Sequence, residues 1–314
     1  MPTLPTYVLV TPARDEAQFI ELAIKSVVAQ TVRPQKWVIV SDGSTDGTDA
    51  IVGRYAAQCP WIELIRMPEH GERDFASKIH AFNAGYARVK DLKYEVIGCL
   101  DGDVSFDEEY FSFLLRKLAE DPTLGVAGTA FKYGTRQVYD YRFVSTAHVS
   151  GPCQLFRRKC FEEIGGYVSV KTGGIDVISV TAARMRGWNT RTFEERSYQL
   201  HRQMGMALGL LTGSRFRQGI KDYALGNHPT WELFRVAYQM TQRPFVIGGS
   251  ALGCGYLWAL ARRSERVVSP DMMAFRRRDE MQRLGTFLAG NTASRKGALR
   301  PSSRKAPGVS VTRS

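Results

Sequence analysis

The sequence Glu-Val-Ile-Gly-Cys-Leu-Asp-Gly-Asp at residues 95–103 decides how this chain is interpreted. Its apolar part predicts a buried β-strand, and Asp101 and Asp103 follow where that strand ends. A parallel sheet carries its chemistry in the loops beyond the carboxyl ends of its strands. Two carboxylates at this spacing suit Mg²⁺ or Mn²⁺, hard cations that also take oxygens from a diphosphate. The alternative is a tight turn without a ligand, because Asp and Gly are common turn residues.

Strand-like and helix-like segments alternate on both sides of this motif. Strands are predicted at residues 7–11, 36–41, 62–66, 95–100 and 125–131, and helices at 19–29, 49–58, 75–89 and 108–119. The second half is less regular, with strands at 154–157 and 189–193, helices at 159–164 and 176–186, and a helical, partly apolar pattern after residue 200. The alternation predicts an α/β sheet flanked by helices.

Composition divides the chain into three predicted regions. Residues 5–200 form the α/β domain, residues 201–291 a helical, partly apolar region, and residues 292–314 a tail rich in Ser, Arg, Gly and Pro that we expect to be disordered. The net charge is +12, and residues 262–314 supply +9 of it, so the basic character lies outside the α/β domain. Five cysteines without a Cys-x-x-Cys pair indicate neither a disulfide framework nor a zinc site, and the N-terminus lacks an apolar signal core. A reducing, cytoplasmic compartment is therefore expected.

Two further carboxylates stand at informative places. Asp42 follows the second strand in Ser-Asp-Gly-Ser-Thr-Asp-Gly-Thr at residues 41–48, where it would accept a hydrogen bond from a nucleobase. In the alternative, this segment is a turn in which Asp46 or Thr48 caps the next helix. Asp176 opens the helix at 176–186, either as a proton acceptor or as an N-cap.

The order and spacing of four motifs resembles glycosyltransferase family 2. They are Val-Thr-Pro-Ala-Arg-Asp-Glu at residues 10–16, the segment at 41–48, Lys-Ile-His-Ala-Phe-Asn-Ala-Gly at residues 78–85, and Asp-Gly-Asp at residues 101–103. The resemblance covers roughly residues 5–200, because residues 151–167 look like the acceptor-side segment and residues 176–188 like the helix that carries the catalytic base. It implies a GT-A fold, with a Rossmann-like, mixed but mainly parallel sheet and a helical C-terminal extension. It also implies inverting transfer from a nucleotide-sugar donor.

The same resemblance implies roles for individual residues. Thr11, Ala13 and Asp42 would line the base, Glu16 would lie near the ribose, Asp101 would contact the ribose or the metal, Asp103 would ligate Mg²⁺ or Mn²⁺, and Asp176 would be the general base. The cation would neutralise the departing diphosphate, while the base takes the proton of the acceptor hydroxyl. Lys78 would reach a phosphate, or is solvated on its helix. His201 stands where some GT-A enzymes place a further metal or phosphate contact, and its alternative role is structural.

The sequence departs from the family pattern in two respects. Ile175 replaces the acidic residue that usually precedes the catalytic base. The Gln-x-x-Arg-Trp motif of the processive synthases is absent from the sequence, so we expect one sugar to be added per encounter.

The C-terminal region contains an apolar segment, Phe245–Ala261, with 17 residues and no charge. It is shorter than the ~20 residues of a spanning helix, and it contains four glycines. A single span would also export the basic tail, against the positive-inside tendency. We therefore expect an interfacial segment on anionic lipid at the cytoplasmic face, with a buried core helix as the alternative. No nucleic-acid partner is expected, because basic clusters occur without a recognisable nucleic-acid fold.

These observations predict a membrane-associated, metal-dependent glycosyltransferase with a saccharide or lipid-linked acceptor, such as a cell-envelope glycan. One alternative is a non-catalytic scaffold of the same fold. A sugar-nucleotide nucleotidyltransferase would carry a Gly-rich, Arg- or Lys-bearing signature that residues 10–16 lack. A dinucleotide-binding oxidoreductase would need Gly-x-Gly-x-x-Gly after the first strand, which is also missing.

Overall fold

The computed structural model describes residues 3–69, 75–137, 145–170, 173–202, 208–243 and 245–297. Within these ranges nine strands form one sheet: β1 Tyr7–Ala13, β2 Lys36–Asp42, β3 Ile62–Met67, β4 Val96–Leu100, β5 Val104–Ser105, β6 Leu124–Tyr133, β7 Arg136–Gln137, β8 Cys153–Arg157 and β9 Asn189–Leu200. Ten helices accompany them in the same ranges: α1 Ile20–Val28, α2 Thr48–Gln58, α3 Phe75–Val89, α4 Tyr110–Glu120, α5 Arg158–Glu163, α6 Ile175–Met185, α7 Leu208–Ala224, α8 Pro229–Met240, α9 Ile247–Ala261 and α10 Pro270–Gly297.

The sheet is mixed and mainly parallel, as predicted. Its order is β3-β2-β1-β4-β8-β6-β9-β5, and β7 pairs with β6 outside this path. Strands β3, β2, β1 and β4 are parallel neighbours, and β6 is parallel to β9. Strand β8 lies antiparallel between β4 and β6, so β4 and β6 point the same way, whereas β5 opposes β9. The carboxyl ends of β1, β2 and β4, which carry the candidate residues, therefore lie at one edge.

Helices cover both faces of the sheet, and successive side chains of a strand pack on opposite faces. Tyr7, Leu9 and Ala13 of β1 pack with α1, α2 and α4, whereas Val8 and Val10 pack with α3, α5 and α6. Successive side chains of a strand point to opposite faces, so a strand covered on both sides is apolar throughout. This layering holds the strand ends, and the loops that follow them, in fixed positions.

Two differences from the sequence-based expectations concern β9 and α10. Strand β9 extends to Leu200 instead of ending at 193, because its polar second half pairs with β6 and β5 and buries Tyr198. Helix α10 runs to Gly297, past the predicted start of the tail at 292, and residues 298–314 lie outside the described ranges. The limits 5–200, 201–291 and 292–314 stay predictions.

The apolar segment forms α9, a helix with one packed and one exposed face. Glycine allows the close packing, because a Cβ on Gly219 of α7 would overlap the carbonyl oxygen of Leu252, and one on Gly255 would overlap that of Phe216. The opposite face exposes Leu257 and Leu260. The alternative of a buried core helix therefore holds for one face only. Across the described ranges, every helix is too short or too polar to cross a bilayer.

Candidate active site

The loop after β4 brings two carboxylates to the edge of the sheet. The backbone N–H of Asp101 donates to the carbonyl oxygen of Pro152 at 2.8 Å, which ties the loop to the residues before β8. A Cβ on Gly102 would come within 2.9 Å of Ile20 Cδ1 and 3.3 Å of Glu16 Cγ. Glycine between the two aspartates therefore lets the loop lie directly on the start of α1. The loop in turn sets Asp103 close to Glu16, and both side chains are largely buried.

Two cations face these carboxylates. Lys78 Nζ lies 2.6 Å from Asp101 Oδ1, and Arg202 Nε lies 3.6 Å from Asp103 Oδ2. The Arg202 guanidinium also forms an ion pair with Glu16. Burial, together with the negative charges of Asp101 and Glu16, raises the pKa of Asp103 to about 7, although Arg202 and Lys78 act in the opposite direction. Three carboxylates, those of Glu16, Asp101 and Asp103, thus share two cations.

The carboxylates Asp101 and Asp103 fit a divalent cation that a donor diphosphate helps to bind. Among the residues that the structure describes, no three His, Cys, Asp or Glu side chains are grouped so that they could hold a metal ion. Such a group is not required, because Mg²⁺ usually binds one or two carboxylates, several waters and substrate phosphates. The excess of one carboxylate over the two neighbouring cations makes an additional positive charge favourable at this position.

His201 supports the Asp103 loop. Its backbone N–H donates to the carbonyl oxygen of Asp103 at 2.8 Å, and its Nε2 lies 2.7 Å from Ser105 Oγ. Its ring stacks on Phe19 with centroids 6.2 Å apart. Burial lowers the pKa of His201. These contacts fit the structural alternative, and metal ligation by His201 stays a prediction.

The predicted base-binding residues lie at the ends of β1 and β2. Ala13 pairs with Ser41, so Ala13 and Asp42 reach the same edge, and both are buried. Thr11 lies deeper in the strand, where its hydroxyl accepts a hydrogen bond from Trp37 Nε1 at 2.9 Å. Because its side chain is fully buried in this contact, any contact from Thr11 to a nucleotide would come from the backbone.

The loop after β2 ties itself to the loop after β1. Asp46 accepts hydrogen bonds from the N–H groups of Ala17 and Thr48, each at 2.9 Å, and Thr48 Oγ1 accepts from the N–H of Glu16 at 2.8 Å. The N-cap of α2 is Gly47, without a side-chain cap bond, so the alternative in which Asp46 or Thr48 caps this helix is wrong. Their hydrogen bonds instead tie the two loops together. They fix the backbone near Asp42 and Glu16.

Asp176 lies in the first turn of α6, close to the carboxylate edge. The cap of this helix is Gly174, in a left-handed conformation with φ 91° and without a side-chain cap, so the expectation of Asp176 as N-cap is wrong. A Cβ on Gly151 would lie 3.3 Å from Asp176 Cβ, and the next residue, Pro152, accepts the N–H of Asp101. The two-residue segment 151–152 therefore contacts both the Asp176 side chain and the backbone of Asp101.

The buried side chain of Tyr167 lies within the electrostatic influence of both Asp101 and Asp176. The Tyr167 hydroxyl donates to Gln154 Oε1 at 2.9 Å. Burial raises the pKa of Tyr167 well above its usual value, and the negative charges of Asp101 and Asp176 both contribute. One side chain thus senses both carboxylates, which are 75 positions apart in the sequence.

His148 is a neighbour of Asp176 that the sequence did not indicate. Its Nε2 lies 3.9 Å from Asp176 Oδ2. Burial lowers the pKa of His148, the charges of Arg276, Arg283 and Lys221 act in the same direction, and Asp176 opposes them. A lone histidine outside any motif gave no signal, and its basic neighbours come from α7 and α10, far along the chain.

Comparisons with known proteins agree with this architecture. Residues 8–143 match the family model described as Glycosyl transferase family 2, so the predicted family resemblance is confirmed over this part of the chain. A poly-beta-1,6-N-acetyl-D-glucosamine synthase of Staphylococcus aureus (strain COL) is 25% identical over 111 residues, which are 35% of this chain and 25% of the relative. A chondroitin synthase of Pasteurella multocida (strain Pm70) is 25% identical over 126 residues, 40% of this chain and 12% of the relative. The matches thus span a quarter or less of these relatives.

Two solved structures are similar over most of the chain. The mannosyltransferase PcManGT from Pyrobaculum calidifontis, in complex with GDP-Man and Mn²⁺, aligns with a TM-score of 0.56 at 20% identity and covers 94% of this chain and 84% of that one. Residues 1–349 of S. aureus TarS, in complex with UDP-GlcNAc, align with a TM-score of 0.53 at 14% identity. The alignment covers 90% of this chain and 80% of the TarS chain. These similarities confirm the predicted GT-A fold.

Proposed function

We propose that this protein is a metal-dependent, inverting glycosyltransferase that moves a sugar from a nucleoside diphosphate to an acceptor hydroxyl. The observation that carries the proposal is that segment 151–152 contacts both the Asp176 side chain and the backbone of Asp101. A donor whose diphosphate lies at Asp101 would thus have its sugar within reach of Asp176. A single displacement requires a base on the acceptor side of the sugar and positive charge on the side of the leaving diphosphate, which a cation held by Asp101 and Asp103 would supply.

On the donor side, we assign base contacts to Ala13, Asp42 and the backbone of Thr11, and the ribose to Glu16. Asp101 and Asp103 would hold Mg²⁺ or Mn²⁺, which when bound neutralises the charge on the leaving diphosphate. Lys78 would offer a phosphate its positive charge by turning away from Asp101. The complexes of PcManGT with GDP-Man and of TarS with UDP-GlcNAc support a nucleotide-sugar donor here.

On the acceptor side, Asp176 would remove the proton from the attacking hydroxyl. The acceptor oxygen forms a bond to the anomeric carbon as the bond to the diphosphate oxygen breaks, so the configuration inverts. His148 would orient the carboxylate in place of the acidic residue that Ile175 replaces. Because its pKa is lowered from an ordinary value of 6.5, His148 is mainly neutral at pH 7 and adds no positive charge beside Asp176.

The experiment that tests this activity is a donor panel. UDP-, GDP- and dTDP-sugars are incubated with the protein and Mn²⁺, and release of nucleoside diphosphate is measured with and without a chelator. We expect release from at least one donor and its loss on chelation. If no donor is turned over or binds, the protein is a non-catalytic scaffold of this fold, and the proposal fails.

We also propose that the protein associates with the cytoplasmic face of an anionic membrane and acts on a lipid-linked or cell-envelope glycan. The exposed side chains Phe245 and Val246 lie just before α9, and α9 itself exposes Ile247, Leu257 and Leu260. At the end of α9, the Arg262 guanidinium lies 4.7 Å from the centroid of the Trp258 ring. Apolar side chains beside arginines suit an anionic lipid surface.

Sedimentation with vesicles tests this surface. We expect the protein to bind vesicles that contain phosphatidylglycerol, and Leu257→Ser with Leu260→Ser to weaken binding at least about tenfold, because each leucine loses apolar burial in lipid. The matched control is Leu22→Ser with Leu92→Ser, two leucines that are exposed elsewhere. Absence of binding to anionic vesicles, or equal weakening by both pairs, would contradict the proposal.

A further inference from the structure

A cleft of about 810 Å³ extends from Asp176 and His148 between α6, α7, α8 and α10. Its lining includes seven Lys or Arg side chains and four Asp or Glu side chains. This surplus of positive charge contrasts with the donor edge, where carboxylates outnumber cations. A volume of this size holds a ligand of several rings or groups.

Some of the basic side chains in the cleft are paired. Arg184 and Arg283 share Asp279, at 2.6 Å and 3.2 Å, and Arg276 lies 3.4 Å from Glu280. The pair of Arg184 with Asp279 joins α6 to α10, whereas the other two lie within α10. Arg235 is paired in the same way, 2.6 Å from Asp222.

The surplus charge comes from side chains that lack such a pair. Within the described part of the chain, Arg215, Lys221 and Arg243 have no carboxylate at ion-pair distance among the salt bridges of the cleft. Burial and the nearby charge of Arg235 lower the pKa of Arg215, although Asp222 opposes them. The charges of Lys221, Arg276 and Arg283 act on His148, so they converge on the end of the cleft that contains Asp176.

This arrangement selects an anionic ligand with several oxygens. Arginine binds phosphate through two parallel N–H bonds, and such charge-assisted bonds are stronger than neutral ones. The Arg243 guanidinium, which belongs to the cleft lining, lies 6.0 Å from the centroid of the exposed Phe245 ring. A molecule with a sugar, a phosphate and an apolar tail would suit this surface. Its sugar would lie at Asp176, its phosphate at the unpaired cations, and its tail at the exposed apolar residues before α9.

We propose that this cleft binds the acceptor through a phosphate group, which Arg215 and Lys221 contact while the acceptor hydroxyl lies at Asp176. The inference rests on the proposed function for the role of Asp176 as general base, but binding of phosphate in the cleft does not depend on catalytic turnover. The phosphate belongs either to a sugar phosphate in solution or to a lipid-linked sugar diphosphate. Both present the same chemistry to the two cations.

Inorganic pyrophosphate in the presence of a chelator is the probe, because chelation removes the cation that would hold a diphosphate at Asp103. We expect pyrophosphate to raise the heat-denaturation midpoint of the unaltered protein. Arg215→Ala with Lys221→Ala should weaken its binding at least about tenfold, the loss expected for a charged hydrogen bond. The control is Arg217→Ala, an exposed arginine of α7 outside the cleft lining.

Four results would overturn the inference. The first three are no stabilisation of the unaltered protein, equal loss in Arg217→Ala, and loss in Asp103→Asn with retention in the double variant, which would place pyrophosphate at the donor edge. Stabilisation by glucuronate but not by pyrophosphate would also overturn it, because the cleft would then select a sugar carboxylate. The double variant should fold normally, because it removes positive charge from a surplus, and its midpoint without ligand checks this.

Transfer assays then distinguish the two sources of phosphate. A sugar 1-phosphate and a lipid-linked sugar diphosphate in vesicles are compared as acceptors with the methyl glycoside of the same sugar. The inference predicts a lower KM for a phosphorylated acceptor, and a rise in that KM in the double variant alone. A methyl glycoside used equally well would contradict it. Failure of every donor would leave the pyrophosphate result intact, so the two proposals fail separately.

Discussion

Replacing Asp176 by asparagine is expected to lower the rate of sugar transfer about 10²- to 10⁴-fold, the range for removal of a general base. Asparagine has nearly the same shape but does not take up the proton of the acceptor hydroxyl. The helix should persist, because its cap is Gly174 and Asp176 makes no side-chain capping bond. Donor binding should also persist, because the base contacts and the carboxylates of the β4 loop are unchanged.

The measurement pairs a transfer assay with heat stabilisation by the nucleoside diphosphate and Mn²⁺. Asp91→Asn, at an exposed position after α3, is the matched control and should retain full activity. His148→Ala should lower transfer less than Asp176→Asn, because His148 positions the carboxylate and does not itself take the proton. Transfer by Asp176→Asn within about twofold of the unaltered protein would show that the base lies elsewhere.

Replacing Asp103 by asparagine is expected to remove the stabilisation by Mn²⁺ with nucleoside diphosphate and to lower transfer at least about 10²-fold. The physical reason is that a neutral amide is a much weaker ligand for a hard cation than a carboxylate. Stabilisation by Mn²⁺ that survives this substitution would exclude Asp103 as a ligand. Asp91→Asn again serves as the control.

The same variant should show an opposite effect on stability without metal. The pKa of Asp103 is about 7 in the folded protein, mainly through burial, against 3.8 for the ordinary carboxyl, so ionisation costs the folded state free energy as pH rises from about 4 to 7. The difference corresponds to on the order of 4 kcal/mol at pH 8, as an upper bound. Asp103→Asn should therefore raise the free energy of unfolding at pH 8, and this gain should disappear near pH 4. A loss of stability at pH 8 would contradict this account.

The sequence predicted the donor edge well because its signals are local. An apolar strand followed by Asp101 and Asp103 places both carboxylates at a sheet edge, and only the parallel neighbours β1 and β2 are needed to bring Asp42 there. The role that the resemblance implies for Thr11 stays a prediction, and the structure limits it to the backbone, because the Thr11 hydroxyl accepts a hydrogen bond from Trp37 in the core. Strand ends were predicted to within two residues where the apolar pattern stops, and poorly in β9, where pairing overrides a polar sequence.

The acceptor side was not predictable in the same way. His148 belongs to no motif, and the cleft beside it arises where α10 packs against α6, as in the pair of Arg184 with Asp279. Those residues are 95 positions apart, and nothing in their local sequence indicates that they meet. The basic side chains of α7 and α10 appear in the sequence as an ordinary solvated surface. Their convergence on Asp176 is a property of tertiary packing.

The most direct test of the central claim is a crystal structure with Mn²⁺ and the nucleotide-sugar that stabilises the protein most. The account predicts an anomalous peak for Mn²⁺ beside Asp103, a diphosphate bridging it, and the anomeric carbon on the side of segment 151–152 that faces Asp176. A nucleotide bound away from Asp42 and Asp103, or a sugar turned away from Asp176, would contradict the claim that these carboxylates form one site.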